Sequence, residues 1–389
     1  MKKVLSIIVI SQFFCTSLWF AGNAILADLT NHFHLESSNI AYFISAVQFG
    51  FITGTFTLAL SGIVDKFVAT HIFFVCSVLA AFCNISIVIL NTNEIILFIS
   101  RLLTGFFLAG IYPVGMKIAS DHYQKGLGKS LGLLVGALVL GTAFPHFLKG
   151  FNTNYSWKFV LCATSSLSIV GGLMMLLFVP RGEFSIVSKN IDLKAITKGF
   201  SIKNFRKPAL GYFGHMWELY TFWAFLPALI LTYKTKHNLI EINVSQWSFA
   251  IIASGSLACV ISGYLSQYFG TKKVAAYALF LSTCCCLTSS LFIIYSNEYV
   301  LFFFLLFWGM VVIADSPLFS TLVAQNAPVE SKGTLLTITN CIGFSLTIIS
   351  IQLFSRLTEV IKSEYLFVFL AIGPILGLWV MFEKTSHVH

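Results

Sequence analysis

The chain has 389 residues, 57% of them hydrophobic and only 10% charged, with a mean hydropathy of +0.87. A soluble protein carries about 25% charged residues, so this composition excludes a water-dissolved fold and makes lipid the solvent. The net charge of +9 does not point to nucleic acid, because the bases sit in short stretches between apolar runs rather than in one patch.

Twelve apolar runs are each long enough to cross a bilayer as a helix. Their limits are expected near 4–29, 39–62, 71–90, 95–117, 128–148, 157–179, 208–233, 246–268, 273–295, 299–323, 333–355 and 365–382. Barrel strands would alternate in polarity over about ten residues, and no run does. Met1-Lys2-Lys3 ahead of VLSIIVI is similar to the start of a signal peptide. The run continues to about Leu29 without a clear cleavage site, so a retained first span is expected. With the start of the chain in the cytoplasm, 17 Lys and Arg fall on that side and 6 outside. That bias predicts both termini in the cytoplasm, in a bacterial inner membrane.

In the first span, Gln12, Thr16, Trp19 and Asn23 share one face of a helix. They are expected to line a wet cavity or to bond neighbouring helices. Arg101, deep in span four, either snorkels to the outer surface or faces the cavity; the second is the working expectation. Pro180 to Lys207 is the long basic connection, and IDLKAITKGF within it reads as a surface helix or a solvated linker. The boundaries expected from it are 1–179, 180–207 and 208–389.

Span seven is the richest in chemistry. His215 and Glu218 lie near its middle at i, i+3 and are expected to touch; Trp217, Tyr220 and Trp223 flank them. An acid this deep in apolar sequence is a functional hypothesis by default. Histidine ordinarily changes charge between about pH 5 and 8, so the pair is a candidate proton relay. Asp315-Ser316-Pro317 interrupts span ten. Asp315 is either a second proton site or the cap of the restarted helix. Asn340 in span eleven is expected at the same cavity. The nine cysteines all fall in apolar runs and read as small apolar residues, with no metal spacing among them.

The chain also repeats. The end of span two matches that of span eight at an offset of 202, and Pro113 in span four matches Pro317 in span ten at 204. A repeat at half the length argues for two six-helix halves.

On these residues the chain resembles the major facilitator superfamily. The loop motif of that family is matched by Gly62, Asp65 and Lys66, and in the second copy by Gly263, Leu265, Gly270, Lys272 and Lys273. Its span-four motif appears as Arg101 and Gly105, and its span-five motif as Gly132, Gly136 and Gly141, with Ala137 where the family has proline. The resemblance implies an all-α integral membrane fold of twelve helices in two pseudo-symmetric bundles. It implies a secondary transporter working by alternating access, with these glycines and Asp65 at moving contacts. No Walker sequence or HExxH is present, so neither ATP-driven transport nor an enzyme is expected, and no cofactor. The expected partners are a small solute (organic anion, zwitterion or drug-like), the proton and the bilayer, with the chain as a monomer. Uniport or sodium coupling is the alternative.

Overall fold

The computed structural model describes residues 2–90, 93–123, 127–151, 156–184, 194–239, 241–328 and 331–383. These residues form helices and, among them, no strand. In hydrocarbon each backbone N–H and C=O needs a partner within its own segment, and a helix supplies it.

Ten elements are long and apolar enough to cross a membrane by themselves. Spans two and three are Ser37–Ser61 and Ala69–Leu90; spans five and six are Leu127–Phe151 and Trp157–Phe178. Spans eight, nine and eleven are Val244–Phe269, Thr271–Tyr295 and Lys332–Leu357. Spans four and ten are each broken once, into Glu94–Leu108 and Tyr112–His122, and into Glu298–Ala314 and Ser316–Asn326. Span twelve runs from Ser363 through a 3-10 turn, Phe367–Ala371, to Ile372–Phe382. The remaining two are unusual. Span one is not the continuous helix expected but three pieces, Lys2–Thr16, Ala21–Ala24 and Leu26–Phe33. Span seven is one helix of 34 residues, Lys203–Lys236, longer than expected at both ends.

The breaks in spans four and ten have a common cause. Pro113 and Pro317 each sit in the first turn of the second piece, where a missing N–H is tolerated. The repeat extends to packing. A Cβ on Gly105 would overlap the Val47 carbonyl, and one on Gly309 would overlap that of Ile251; each residue of the second pair lies 204 positions after its counterpart. Asn93 and Asn297 obey the same offset, and each accepts a hydrogen bond, from the Ile96 and Val300 amides at 3.0 Å, capping span four and span ten. The helix crossings therefore place spans two and eight at 204 as well, rather than at the 202 expected from their loop ends.

The first six spans meet the last six mainly where five packs on eight and two on eleven. Gly132 and Gly136 make the first contact close, with a Cβ on either falling 3.3 Å from the Cys259 carbonyl or 3.2 Å from that of Ser256. The helix Lys194–Ser201 packs on spans seven and eleven. A Cβ on its Gly199 would overlap Leu335, so this segment is docked on protein rather than lying free on the membrane surface.

Candidate functional site

A cavity of about 540 Å³ lies between the two sets of spans. Its lining reaches Val64, Lys117, Ser120 and the exposed Lys332 and Gly333, all at span ends on the face that carries both chain ends. The cavity is thus accessible from this terminal face. Its other end is closed by rings. Trp19 packs on Phe51, Phe344 and Tyr220 at centroid distances of 4.9, 5.5 and 5.8 Å, and Phe20 meets Trp223 edge-on at 6.1 Å. These side chains come from spans one, two, seven and eleven, so the roof joins both halves. Beyond it, the far face is tied by amides. Gln246 Nε2 and Asn243 Nδ2 both donate to the Gly150 carbonyl, at 3.1 and 3.3 Å. Gln352 Nε2 donates to Ser45 Oγ at 3.0 Å.

Arg101 does not face this cavity. Its guanidinium is fully buried and donates to the carbonyls of Trp19 (2.6 Å) and Leu18 (3.2 Å), at the break in span one. A third, longer bond reaches Asn84 Oδ1 at 3.5 Å, and Asn84 in turn donates to Ser165 Oγ, Thr164 Oγ1 and the Leu161 carbonyl. The physical reason is the break itself. Interrupting a helix in lipid leaves backbone acceptors that need donors, and a guanidinium has five.

The break also corrects the polar face expected on span one. Thr16 Oγ1 donates to the Gln12 carbonyl at 2.8 Å and packs where a Cβ on Gly141 would overlap it, against span five. Gln12 points at Gly115 of span four, whose Cβ would overlap Oε1. Asn23 lies past the break, buried, with Nδ2 unpaired. Of the four, only Trp19 reaches the cavity, as part of its roof.

In span seven the expected His215–Glu218 contact is absent. His215 Nδ1 lies 2.8 Å from Asp315 Oδ1, bridging spans seven and ten with both side chains 1% exposed. Asp315 makes no regular side-chain cap on the helix that restarts at Ser316, although its carboxylate lies beside the Asp315 and Ser316 amides. Glu218 points elsewhere. Its Oε1 accepts from Ser282 Oγ at 2.5 Å, Trp308 Nε1 at 2.7 Å and Cys286 Sγ at 3.1 Å, on spans nine and ten. Both acids therefore sit inside the last six spans, behind the cavity wall. Trp217 is also away from the cavity: its backbone accepts from Ser350, and it packs on Gly373 of span twelve. Tyr220, Trp223 and Asn340 do line the cavity. Lining residues that sequence reasoning missed include Tyr112 and Tyr212, one beside Pro113 and the other eight positions before Tyr220.

At the loop motif, Lys66 Nζ donates to the Ser61 carbonyl at 3.0 Å and so caps span two. The Asp65 side chain lies outside the described residues. The turn glycine of the second copy is Gly270, at φ +88°, which favours glycine; Gly263 lies within the helix of span eight.

A family model described as Major Facilitator Superfamily matches residues 8–351, most of the chain. The chain belongs to this superfamily. Among solved structures, the crystal structure of the human organic anion transporter MFSD10 (TETRAN) superposes with a TM-score of 0.73, over 98% of this chain and 99% of that one, at 12% identity. At that identity the likeness concerns the fold. No curated protein sequence matches the chain. This member of the major facilitator superfamily is a multi-pass membrane protein and a solute transporter, not an enzyme.

Proposed function

We propose that this transporter moves a small organic solute by alternating access and couples that movement to protons. The carrying observation is the cavity: it lies between the two halves, is reachable from one face, and is roofed by rings that both halves contribute. The moving bodies are residues 1–179 and 208–389, joined by 180–207, and the terminal face is cytoplasmic. Solute contacts Tyr220, Trp223 and Asn340 beneath Trp19. Gly132 and Gly136 form the close contact about which the halves rock. Organic anions (the class named for MFSD10), zwitterions and neutral drug-like solutes are the classes considered.

Protons act through Glu218 and the His215–Asp315 pair. Both sites are fully buried, and both join span seven to span ten. A neutral carboxyl is far cheaper to keep in such a place than a charged one, so gain or loss of a proton changes what holds these two spans together. Purified protein in liposomes tests the reading. An imposed proton gradient should drive uphill solute movement in the parent chain, and single cysteines in a Cys-free background should label from outside at Asn297 and from inside at Thr334. Solute movement indifferent to the gradient removes the coupling; the reverse labelling pattern removes the orientation.

A further inference from the structure

From the cavity's lining we infer the class of solute: a flat aromatic ring system carrying an anionic group, held ring-first. This rests on the cavity being the transport site. Three observations carry it. First, among the described residues no Asp or Glu lines the cavity, while Lys117 and Lys332 do, both at its open end. Lys117 lies 3.8 Å from Asp121, which is outside the lining, and Lys332 is exposed. The described lining at the entrance is thus basic, with Lys117 paired to Asp121 and Lys332 exposed, and low-dielectric walls lie behind it, an arrangement that favours anions over cations.

Second, the closed end is aromatic. Tyr220 and Trp223 line it, and Phe344 lies against Tyr220 at 5.3 Å. Flat π-faces at this spacing receive another ring in offset or edge contact. Third, the indole N–H of Trp223 is buried and has no acceptor among the described residues. Indole nitrogen is a donor only, and a buried donor left bare is costly, so this atom is matched by an acceptor that the solute brings.

The alternative occupant of an aromatic box is an organic cation, drawn by ring quadrupoles. A cation here would pass two lysines and, among the described residues, meet no carboxylate in the lining. The acids buried in spans seven and ten are already engaged, Asp315 with His215, and Glu218 with Ser282, Trp308 and Cys286. The dimensions agree with a ring-first solute. Phe344 and Lys332 are twelve residues apart on one helix, roughly 18 Å at 1.5 Å per residue, so a ring under the roof leaves room for an anionic group within reach of a lysine side chain.

Three isosteric probes test this on the full chain in nanodiscs, by quenching of intrinsic tryptophan fluorescence: 2-naphthoate, 2-naphthamide and 2-naphthylmethylammonium. We expect 2-naphthoate to bind at least tenfold more tightly than the ammonium. Lys117→Gln/Lys332→Gln should weaken 2-naphthoate about tenfold and leave 2-naphthamide unchanged. Trp223→Phe keeps the ring and removes the donor, and should weaken 2-naphthoate and 2-naphthamide severalfold. Lys332→Gln alone, at an exposed site, guards against a folding defect in the double variant and should give a smaller change of the same sign. An ammonium that binds as well as the carboxylate, lysine variants that leave 2-naphthoate unaffected, or no probe binding at all overturns the assignment. Cysteine labelling of the two faces reads alternating access independently, so the solute class can fail while the transport reading stands, and the reverse.

Discussion

The two sets of six spans share a packing plan and differ in what they bury. The first set encloses an arginine, held by backbone carbonyls and by Asn84. The second encloses two carboxyls and an imidazole, held by side-chain donors and by one another. A guanidinium stays charged under all ordinary conditions, whereas carboxyls and imidazoles exchange protons. Equivalent helices cross through equivalent glycines in both sets; the first also buries one imidazole, His146 in span five, but among the described residues only the second fully buries carboxyls. A pseudo-symmetric scaffold therefore does not imply a symmetric mechanism: on the proposed reading the first half holds a fixed charge at the span-one break, and the second holds the carboxyls that exchange protons.

That contrast can be broken by substitution. The largest effect is expected at Glu218. Glu218→Gln keeps the size and an acceptor for Ser282 and Trp308 but cannot ionise; gradient-driven uptake into liposomes should fall at least about 100-fold while solute exchange without a gradient survives. Asp315→Asn should also uncouple transport, since its side chain pairs with His215; normal coupling in this variant would leave Glu218 alone as the switch. Arg101→Ala should act on stability instead. It strips donors from buried acceptors at roughly 1–3 kcal/mol each, so the thermal unfolding midpoint in detergent should drop, and pH dependence of the remaining transport should match the parent. An Arg101→Ala protein that is stable but uncoupled would erase the distinction between the halves. Gly309→Val, which would overlap the Ile251 carbonyl, should cost about 1–3 kcal/mol by overpacking, and Gly105→Val a similar amount if the scaffold is symmetric. The smallest effect is expected at the far face. Gln246→Ala removes one bond to Gly150, worth about 1 kcal/mol. Labelling from outside of a cysteine at Asn23, in a Cys-free background, should rise about fivefold.

Much of this was legible in the sequence because lipid leaves the backbone so few options. Twelve spans follow from apolar length, and the interruption of span ten follows from Asp315-Ser316-Pro317. Side-chain direction was legible only in part. Span seven is buried on nearly every side from Gly211 to Tyr220, so no apolar stripe marks which face is which. The spacing of His215 and Glu218 permits contact, but acceptors and donors on spans nine and ten take each of them separately. The break in span one had no local signal, for Ser17-Leu18-Trp19-Phe20 contains neither proline nor glycine. It is tied from a distance by Arg101, and reading it requires knowing that span four passes there. Arg101 itself was assigned to the cavity for the same reason: a buried cation suggests a ligand until the carbonyls it meets are known.

The interruption of span one also sets how force passes through the molecule. Span seven is a single beam of 34 residues, roughly 50 Å at 1.5 Å per residue. Anything that tilts one end of it displaces Tyr220, Glu218 and His215 together. Span one is a jointed rod whose joint, at Ser17–Phe20, carries Trp19 and is tied to Arg101. Its two arms are separate helical pieces, so a displacement of one need not carry the other. Two elements in equivalent places thus meet at one roof with unequal continuity, one an unbroken helix and the other a jointed one.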